Sequence, residues 1–397
     1  MAADDRWSGS LQGWGYAAYD AIADSSVLDP DDRIAAIARD TVTADLRCDV
    51  KYATDDVDVV ARPRLLIEDE RGGVAGSTGW HAYASQAYLR WRPSADIAAT
   101  VGRDAFDWGP ANFRSPSNPF YFDAGRTDPL RDVSGIDLAR VTAIDGANIL
   151  TAAYVVGSGH DLADDPYRDT AVLKLDRRGE NGLASLIVAS QRHASTFIGA
   201  FGQLTIGEPW LLYAEAGSQR LRNELEVDAP ADPTPYRLQP LSPRATTALA
   251  GVTYTLENGQ TIGAEYLRDN HGFRGPVERE YFDRAAGLDA AAASPPASPP
   301  ASAALGLAIA YAPRLLGRDY LYVLWQSNPN VAGAFWRLSW TSNLDDRSGQ
   351  VAAYGEVNLA ERVTAFVQVA VDHGAPRSEF RSLLDASITV GAKVFAF

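Results

Sequence analysis

The stretch Thr41-Val42-Thr43-Ala44-Asp45-Leu46-Arg47-Cys48-Asp49-Val50-Lys51-Tyr52 sorts its side chains by parity alone. Val42, Ala44, Leu46, Cys48, Val50 and Tyr52 fall on one side, and Thr41, Thr43, Asp45, Arg47, Asp49 and Lys51 on the other. A period of two belongs to a β-strand, whose successive side chains point to opposite faces. After a turn at Asp55-Asp56 the pattern resumes, with Val57, Val59, Ala61, Pro63, Leu65 and Ile67 set against Asp58, Val60, Arg62, Arg64, Leu66 and Glu68. It returns near the end, where Val363, Ala365, Val367, Val369 and Val371 oppose Thr364, Phe366, Gln368, Ala370 and Asp372.

One amphipathic strand fits a soluble β-sandwich as well as a membrane barrel. The number of such segments separates the two. About eighteen can be marked, an even number as expected of a single-chain bacterial barrel. They lie near 7–20, 41–54, 57–69, 81–91, 95–104, 137–144, 147–157, 169–177, 182–191, 195–204, 210–222, 244–256, 260–269, 319–327, 334–342, 349–359, 362–372 and 386–397. Tight turns at Asp55-Asp56, Asp145-Gly146, Glu257-Asn258-Gly259 and Ala360-Glu361 alternate with longer connections near 70–80, 105–136, 223–243 and 373–385. Short turns on one rim and long loops on the other are the asymmetry of an outer-membrane barrel. The short link 192–194 departs from it.

The fold class expected is therefore all-β: a single transmembrane antiparallel up-and-down β-barrel of about eighteen strands, spanning 1–397. No apolar run approaches the roughly 20 residues of a membrane-spanning helix. Nine Trp and seventeen Tyr in a chain that is 46% hydrophobic would furnish aromatic girdles at two interfaces. A net charge of -15 argues against nucleic acid as a partner and suits a surface bathed in divalent cations. Cys48 is the single cysteine, so no intrachain disulfide and no multi-cysteine zinc site can form. No cofactor is expected. Met1 is read as the start of a mature chain whose leader has been removed.

The C-terminal run Ser387-Ile388-Thr389-Val390-Gly391-Ala392-Lys393-Val394-Phe395-Ala396-Phe397 resembles the terminal signal of outer-membrane barrels. That likeness implies recognition by the barrel-assembly machinery, with Gly391, Phe395 and Phe397 as its marks. Facing is open, because a lipid-side Phe395 would carry Lys393 with it, whereas Ile388, Val390, Ala392, Val394 and Ala396 make the cleaner apolar face.

The segment Gly102-Arg103-Asp104-Ala105-Phe106-Asp107-Trp108-Gly109-Pro110, followed by Ser115-Pro116-Ser117-Asn118-Pro119-Phe120, is punctuated like an irregular loop over 105–136. It is similar to the Gly-Arg, Trp-Gly and Asn-Pro segment of large porin-like and alginate-export-type barrels of about eighteen strands. Ser342-Asn343-Leu344-Asp345-Asp346-Arg347-Ser348 resembles a late loop of the same group. The resemblance implies a Gram-negative outer-membrane channel, embedded in lipid and lipopolysaccharide, for passive diffusion of small polar or charged solutes.

An inward 105–136 loop would narrow such a pore, with Arg103, Arg114, Arg126 and Arg131 supplying positive charge. Arg47, Arg62, Arg64 and Arg90 lie on consecutive early strands, and Glu215, Glu265 and Glu356 on later ones, so a transverse field across the lumen is expected. Asp45, Asp49, Asp58 and Glu68 interleave with the arginines, and pairing along the wall is the competing reading. The Pro/Ala/Ser run Ala290–Ala304 marks 270–318 as a long, partly disordered extracellular loop.

Enzymatic readings have little support: His81, His160, His193, His271 and His373 are scattered, and neither a nucleophile elbow nor a phosphate-binding loop is present. A rim hydrolase around His193 and Ser195, and a conduit for a polysaccharide or partner protein, are the alternatives to a channel.

Overall fold

A computed structural model describes residues 6–24, 26–72, 76–157, 167–192, 195–220, 223–227, 236–240, 243–293, 299–331 and 333–396. The first strands are β1 (Trp7–Ile22), β2 (Asp40–Ala53), β3 (Val57–Arg71), β4 (Thr78–Ser94), β5 (Ile97–Asp104), β6 (Ile136–Asp145) and β7 (Asn148–Gly157). Next come β8 (Thr170–Arg178), β9 (Gly182–Gln191), β10 (Phe197–Ile206) and β11 (Trp210–Arg220), then the short loop hairpin β12 (Glu224–Glu226) and β13 (Arg237–Gln239). The remaining strands are β14 (Arg244–Thr255), β15 (Thr261–Asp269), β16 (Asp319–Gln326), β17 (Ala334–Asn343), β18 (Gly349–Ala360), β19 (Val363–His373) and β20 (Leu384–Phe395).

Apart from the β12–β13 hairpin, these strands form one 18-stranded sheet in which chain neighbours pair antiparallel. β1 pairs both with β2, from Trp7↔Tyr52, and with β20, from Gln12↔Phe395, so the sheet closes into a barrel. Closure leaves no unpaired edge, which is what lets a sheet stand in hydrocarbon. No helix is long and apolar enough to cross a membrane.

The parity read from the sequence sets the two surfaces. Val42, Leu46, Leu65, Ile67, Val367 and Val371 are exposed on the outside, whereas Thr43, Asp45, Arg64 and Phe366 are buried on the inside. An outer belt this apolar is unfavourable in water and favourable against lipid tails. Trp7, Trp91, Trp210 and Trp325 are exposed near one rim, and Tyr19, Trp80, Tyr154, Tyr266 and Trp340 near the other. These are the two girdles.

The long connections, 105–135, 221–243 and 270–318 among them, share a rim, and short links such as 54–56 and 146–147 form the opposite one. The link 192–196 sits on the long-loop rim as its short member.

The 270–318 connection departs from its compositional reading. It holds α1 (Gly275–Ala293) and α2 (Pro299–Tyr311), with 294–298 outside the described residues. Ala and Leu carry high helix propensity, and Pro299 stands at the first turn of α2, where a missing N–H costs nothing. The helices are stabilised by packing: Tyr281, Phe282, Ala285, Leu305 and Ala308 join Val27, Leu28, Leu225 and Tyr236 in one apolar cluster. Three long connections thereby build a cap on this rim. Composition registered the Pro-rich interruption and missed the apolar faces on either side of it.

Beside the cap, Glu278 of α1 is buried facing Asp346 and Glu379, and burial first, then these carboxylates, push its carboxyl up to about 9. Burial also raises Glu379, although Leu316 N at 2.9 Å, Asn343 Nδ2 at 2.8 Å and the Tyr320 hydroxyl all donate to it.

Candidate functional site

Residues 105–135 leave the wall at β5 and re-enter it at β6, and in between they lie against interior faces. Two parts differ in how they are held.

The first part, 105–122, is a lobe docked on the β6–β16 side. Phe106 and Phe120 stack at 5.3 Å and sit among Leu138, Val155, Val172, Ile187, Phe197 and Phe201, all on inward positions. Two carboxylates fasten the tip. Glu215 accepts from Ala111 N at 2.8 Å, Ser115 Oγ at 2.7 Å, and Ser117 N and Oγ at 3.3 and 2.7 Å. Glu265 accepts from Asn112 N at 2.6 Å, Phe113 N at 2.8 Å and the Tyr213 hydroxyl.

A buried carboxylate is costly unless its lone pairs are filled, and here they are filled by loop N–H and O–H groups. Close approach is made possible by glycine. A Cβ at Gly217 would stand 1.8 Å from the Pro116 carbonyl oxygen, and one at its register partner Gly199 would stand 2.6 Å from that of Ser117.

The second part, 123–135, is a strap that meets the rest of the wall in circumferential order. Arg337 of β17 donates to Arg126 O at 2.6 Å, and Gln368 of β19 to Asp128 Oδ1 at 3.2 Å. Arg47 of β2 reaches Leu130 O at 3.4 Å, Arg64 of β3 pairs with Asp132, and Gly135 N donates to Ser85 O of β4 at 2.8 Å.

That last anchor begins at a bulge. Between the pairs Arg62↔Gln86 and Pro63↔Ala84 the register of β3 and β4 shifts, leaving Ser85 as the extra residue. The freed Ser85 carbonyl takes the strap. Lobe and strap together run round the interior from β5 to β6.

The wall charges pair locally. Arg47 donates to Asp45 at 2.8 Å; Arg64, almost fully buried, joins Asp45 to Asp132. Arg90 stands 3.9 Å from Asp58 and 3.7 Å from Asp104, and Arg92 and Arg140 pair with the same two carboxylates. Arg62 meets Asp49 at 3.4 Å with both side chains about half exposed.

The expected transverse field does not form from the named glutamates. Glu215 and Glu265 are buried in the lobe anchor and present no charge to open space. Glu356 is held by Lys393 at 2.7 Å and the Tyr354 hydroxyl at 2.6 Å.

Among the loop arginines, Arg103 forks onto Asp137 at 2.8 and 3.0 Å, and Arg126 is taken up by Gly109 O, Ala111 O and Asp107. Both are structural rather than free charges. Arg114 and Arg131 share Asp123 at 3.6 and 2.9 Å.

Two inward cations were missed from sequence. Arg337 contacts Gln326 at 3.1 Å and Arg126 O, and meets no carboxylate among the described residues. Arg314 follows α2 on a segment that descends into the barrel, lies over the Phe122 ring at 5.5 Å, forms no ion pair among the described residues and shares a second cavity with Asp269. Arg314, Arg114 and Arg131 line one cavity of about 400 Å³ with Tyr121, Asp123 and Asp132. The parity of Trp336-Arg337-Leu338 could have revealed Arg337; nothing local marks Arg314.

The C-terminal strand settles the facing question. Ile388, Val390 and Val394 are exposed outside, while Lys393 turns inward onto Glu356, so Phe395 shares the inward parity and a lipid-facing Phe395 is ruled out. Phe397 lies outside the described residues. Gly391 leaves room for Phe366 and Tyr16, whose atoms would stand 2.6 and 2.5 Å from an added Cβ. Of the hydrolase pair, His193 lies outside the described residues, and Ser195 Oγ is occupied with the Arg220 backbone at 2.9 Å. No group of His, Cys, Asp and Glu among the described residues is placed to hold a metal ion.

No protein-family model and no curated protein matches the chain. Solved structures do. Acinetobacter baumannii OccAB1 superposes with a TM-score of 0.55 at 12% identity over 99% of this chain and 97% of its own. Pseudomonas aeruginosa OccK11 (OpdR) gives 0.54 at 12%, over 98% and 96%. Pseudomonas aeruginosa OccK2 (OpdF), solved in complex with glucuronate, gives 0.50 at 10%, over 98% of each. Over its whole length the chain thus has the fold of the Occ porins of Gram-negative outer membranes, a closed barrel of 18 strands.

Proposed function

We propose that the protein is an outer-membrane channel for passive diffusion of small polar solutes, with a preference for organic anions, and that residues 105–135 set its narrowest passage. The observation that carries this reading is the pair of inward cations, Arg314 and Arg337, outside any ion pair among the described residues and beside a segment that lines the interior. The inward carboxylates Asp20, Glu68 and Asp372 lie on the wall strands, whereas Asp123 and Asp132 of the segment itself are already paired, so positive charge prevails where the segment lies. An uncompensated cation in a narrow wet passage attracts anions and repels cations. The glucuronate in the OccK2 complex is a solute of the expected size and charge.

Planar-bilayer recordings under a salt gradient test the reading. Wild type should conduct with anion preference, and R314E/R337E should shift the reversal potential toward cations. A barrel that never conducts, or a reversal potential unmoved by the double substitution, overturns it.

A further inference from the structure

The long-loop rim carries three arginines of outward parity: Arg192 after β9, Arg220 at the end of β11, which also borders a cavity with Gln219, Glu224 and Arg314, and Arg244 at the start of β14. On β11 Tyr213, Glu215 and Gly217 are buried toward the interior, so Arg220 falls outside with Ala214 and Ala216. On β14 Ala245 and Leu249 are inside, and Arg244, Thr246 and Ala248 are outside.

Arg220 and Arg244 are direct register partners, an opposition of like charges that costs energy unless an anion offsets it. Arg244 donates to Ser218 O at 3.2 Å, Ser218 Oγ at 3.3 Å and Thr196 O at 3.4 Å, which lays its guanidinium across β11 toward β10. None of the three arginines forms an ion pair among the described residues. Of the nearby carboxylates, Asp169 accepts from the Tyr154 hydroxyl at 3.0 Å, and Glu224 stands 2.7 Å from His271. On the same rim Arg268 is closed by Asp319 at 2.8 Å, which makes the open cluster a local property.

Directly below it, toward the middle of the belt, Leu186, Ile198, Ala216 and Ala248 offer an exposed, shallow apolar surface.

We propose that Arg220 and Arg244 form a docking site for the phosphorylated headgroup of lipopolysaccharide, with its acyl chains lying on Leu186, Ile198, Ala216 and Ala248. The site faces the bilayer, so its ligand must be anionic at the rim and apolar beneath it. In an outer membrane the lipid on the long-loop side meets both demands. Guanidinium groups fit phosphate oxygens through paired donors. The inference rests on the barrel standing in an outer membrane and is independent of what crosses the lumen.

The test is native mass spectrometry of the full-length barrel in detergent, titrated with bisphosphorylated hexa-acyl lipid A. R220A/R244A should weaken binding about tenfold or more, because charged hydrogen bonds are lost, whereas R268A on the same rim should change it by less than about twofold. Dephosphorylated lipid A should bind wild type as weakly as the double variant does, and inorganic phosphate should fail to displace lipid A.

Equal binding by wild type and R220A/R244A, an equal loss in R268A, or displacement by inorganic phosphate overturns the site. R220Q, whose native side chain makes no hydrogen bond among the described residues, is the milder variant and should weaken binding about threefold if the double variant fails to fold. Conductance separates the two readings, since R244A, on the outer face, should leave it unaltered while weakening lipid A binding.

Discussion

The lobe and the strap are consecutive pieces of one loop, yet they are held by opposite chemistries. Residues 105–122 bring aromatic rings and backbone donors to two buried wall carboxylates. Residues 123–135 are held mainly by polar bonds and ion pairs to the wall, through Arg47, Arg64, Arg337 and Gln368. Dry packing with filled carboxylates is insensitive to salt; ion pairs in contact with lumen water are screened. The lobe is therefore the fixed part of the interior and the strap the adjustable part.

The contrast breaks most completely at Glu215. In E215A four loop donors lose their acceptor, at a cost of about 3 kcal/mol or more of lobe docking, because buried donors left unsatisfied forfeit their hydration. Conductance should rise and become noisy, and hydrogen exchange at Ala111 and Ser117 should accelerate. Unchanged exchange would show that packing alone holds the lobe.

A smaller effect is expected at Arg64. R64A removes the charged hydrogen bond from β3 to Asp132, worth about 2 kcal/mol to the strap, while Asp45 keeps Arg47. Exchange should quicken over 126–135, more so in high salt, with 105–122 unaffected. If both parts loosen together, they are one cooperative unit.

A third, pH-dependent effect concerns the cap, a chemistry against which the other two can be compared. Glu278 is pushed up to about 9, above the ordinary glutamate value of 4.5, so the folded cap retains a proton that the unfolded chain releases. Its contribution is fully present below pH 4.5 and is lost as pH rises through about 9. Protection of α1 from proteolysis should decline across that window in wild type and stay flatter in E278Q. Equal slopes would assign the dependence to other groups.

The wall was legible because each of its residues answers to a nearby rule. Alternation in Thr41–Tyr52 or Val363–Asp372 needs only neighbours two positions away, and every barrel strand lies where that pattern places it. The interior was legible in part. Parity put Arg47, Arg64, Glu215 and Glu265 on the inner face, but whether such a charge meets water, a wall carboxylate or a loop amide depends on residues 68 to 153 positions distant. The cap escaped because Ala-rich segments beside a Pro-rich run read as low complexity until their partners at Val27, Leu225 and Tyr236 are known.

The ring inside the barrel starts on β5 and ends on β6, two strands that are hydrogen-bonded to each other from Ile97↔Ala143 to Asp104↔Ile136. A path whose two ends share one doorway can lengthen or shorten without moving a strand. With residues 105–135 setting the passage as proposed, bore and frame are separable traits: additions or deletions between Asp123 and Gly135 would retune the aperture, while strand count, register and lipid face stay as they are. On that proposal a lineage of such barrels could change what it admits through one drawstring of sequence, tied off at the Ser85 carbonyl.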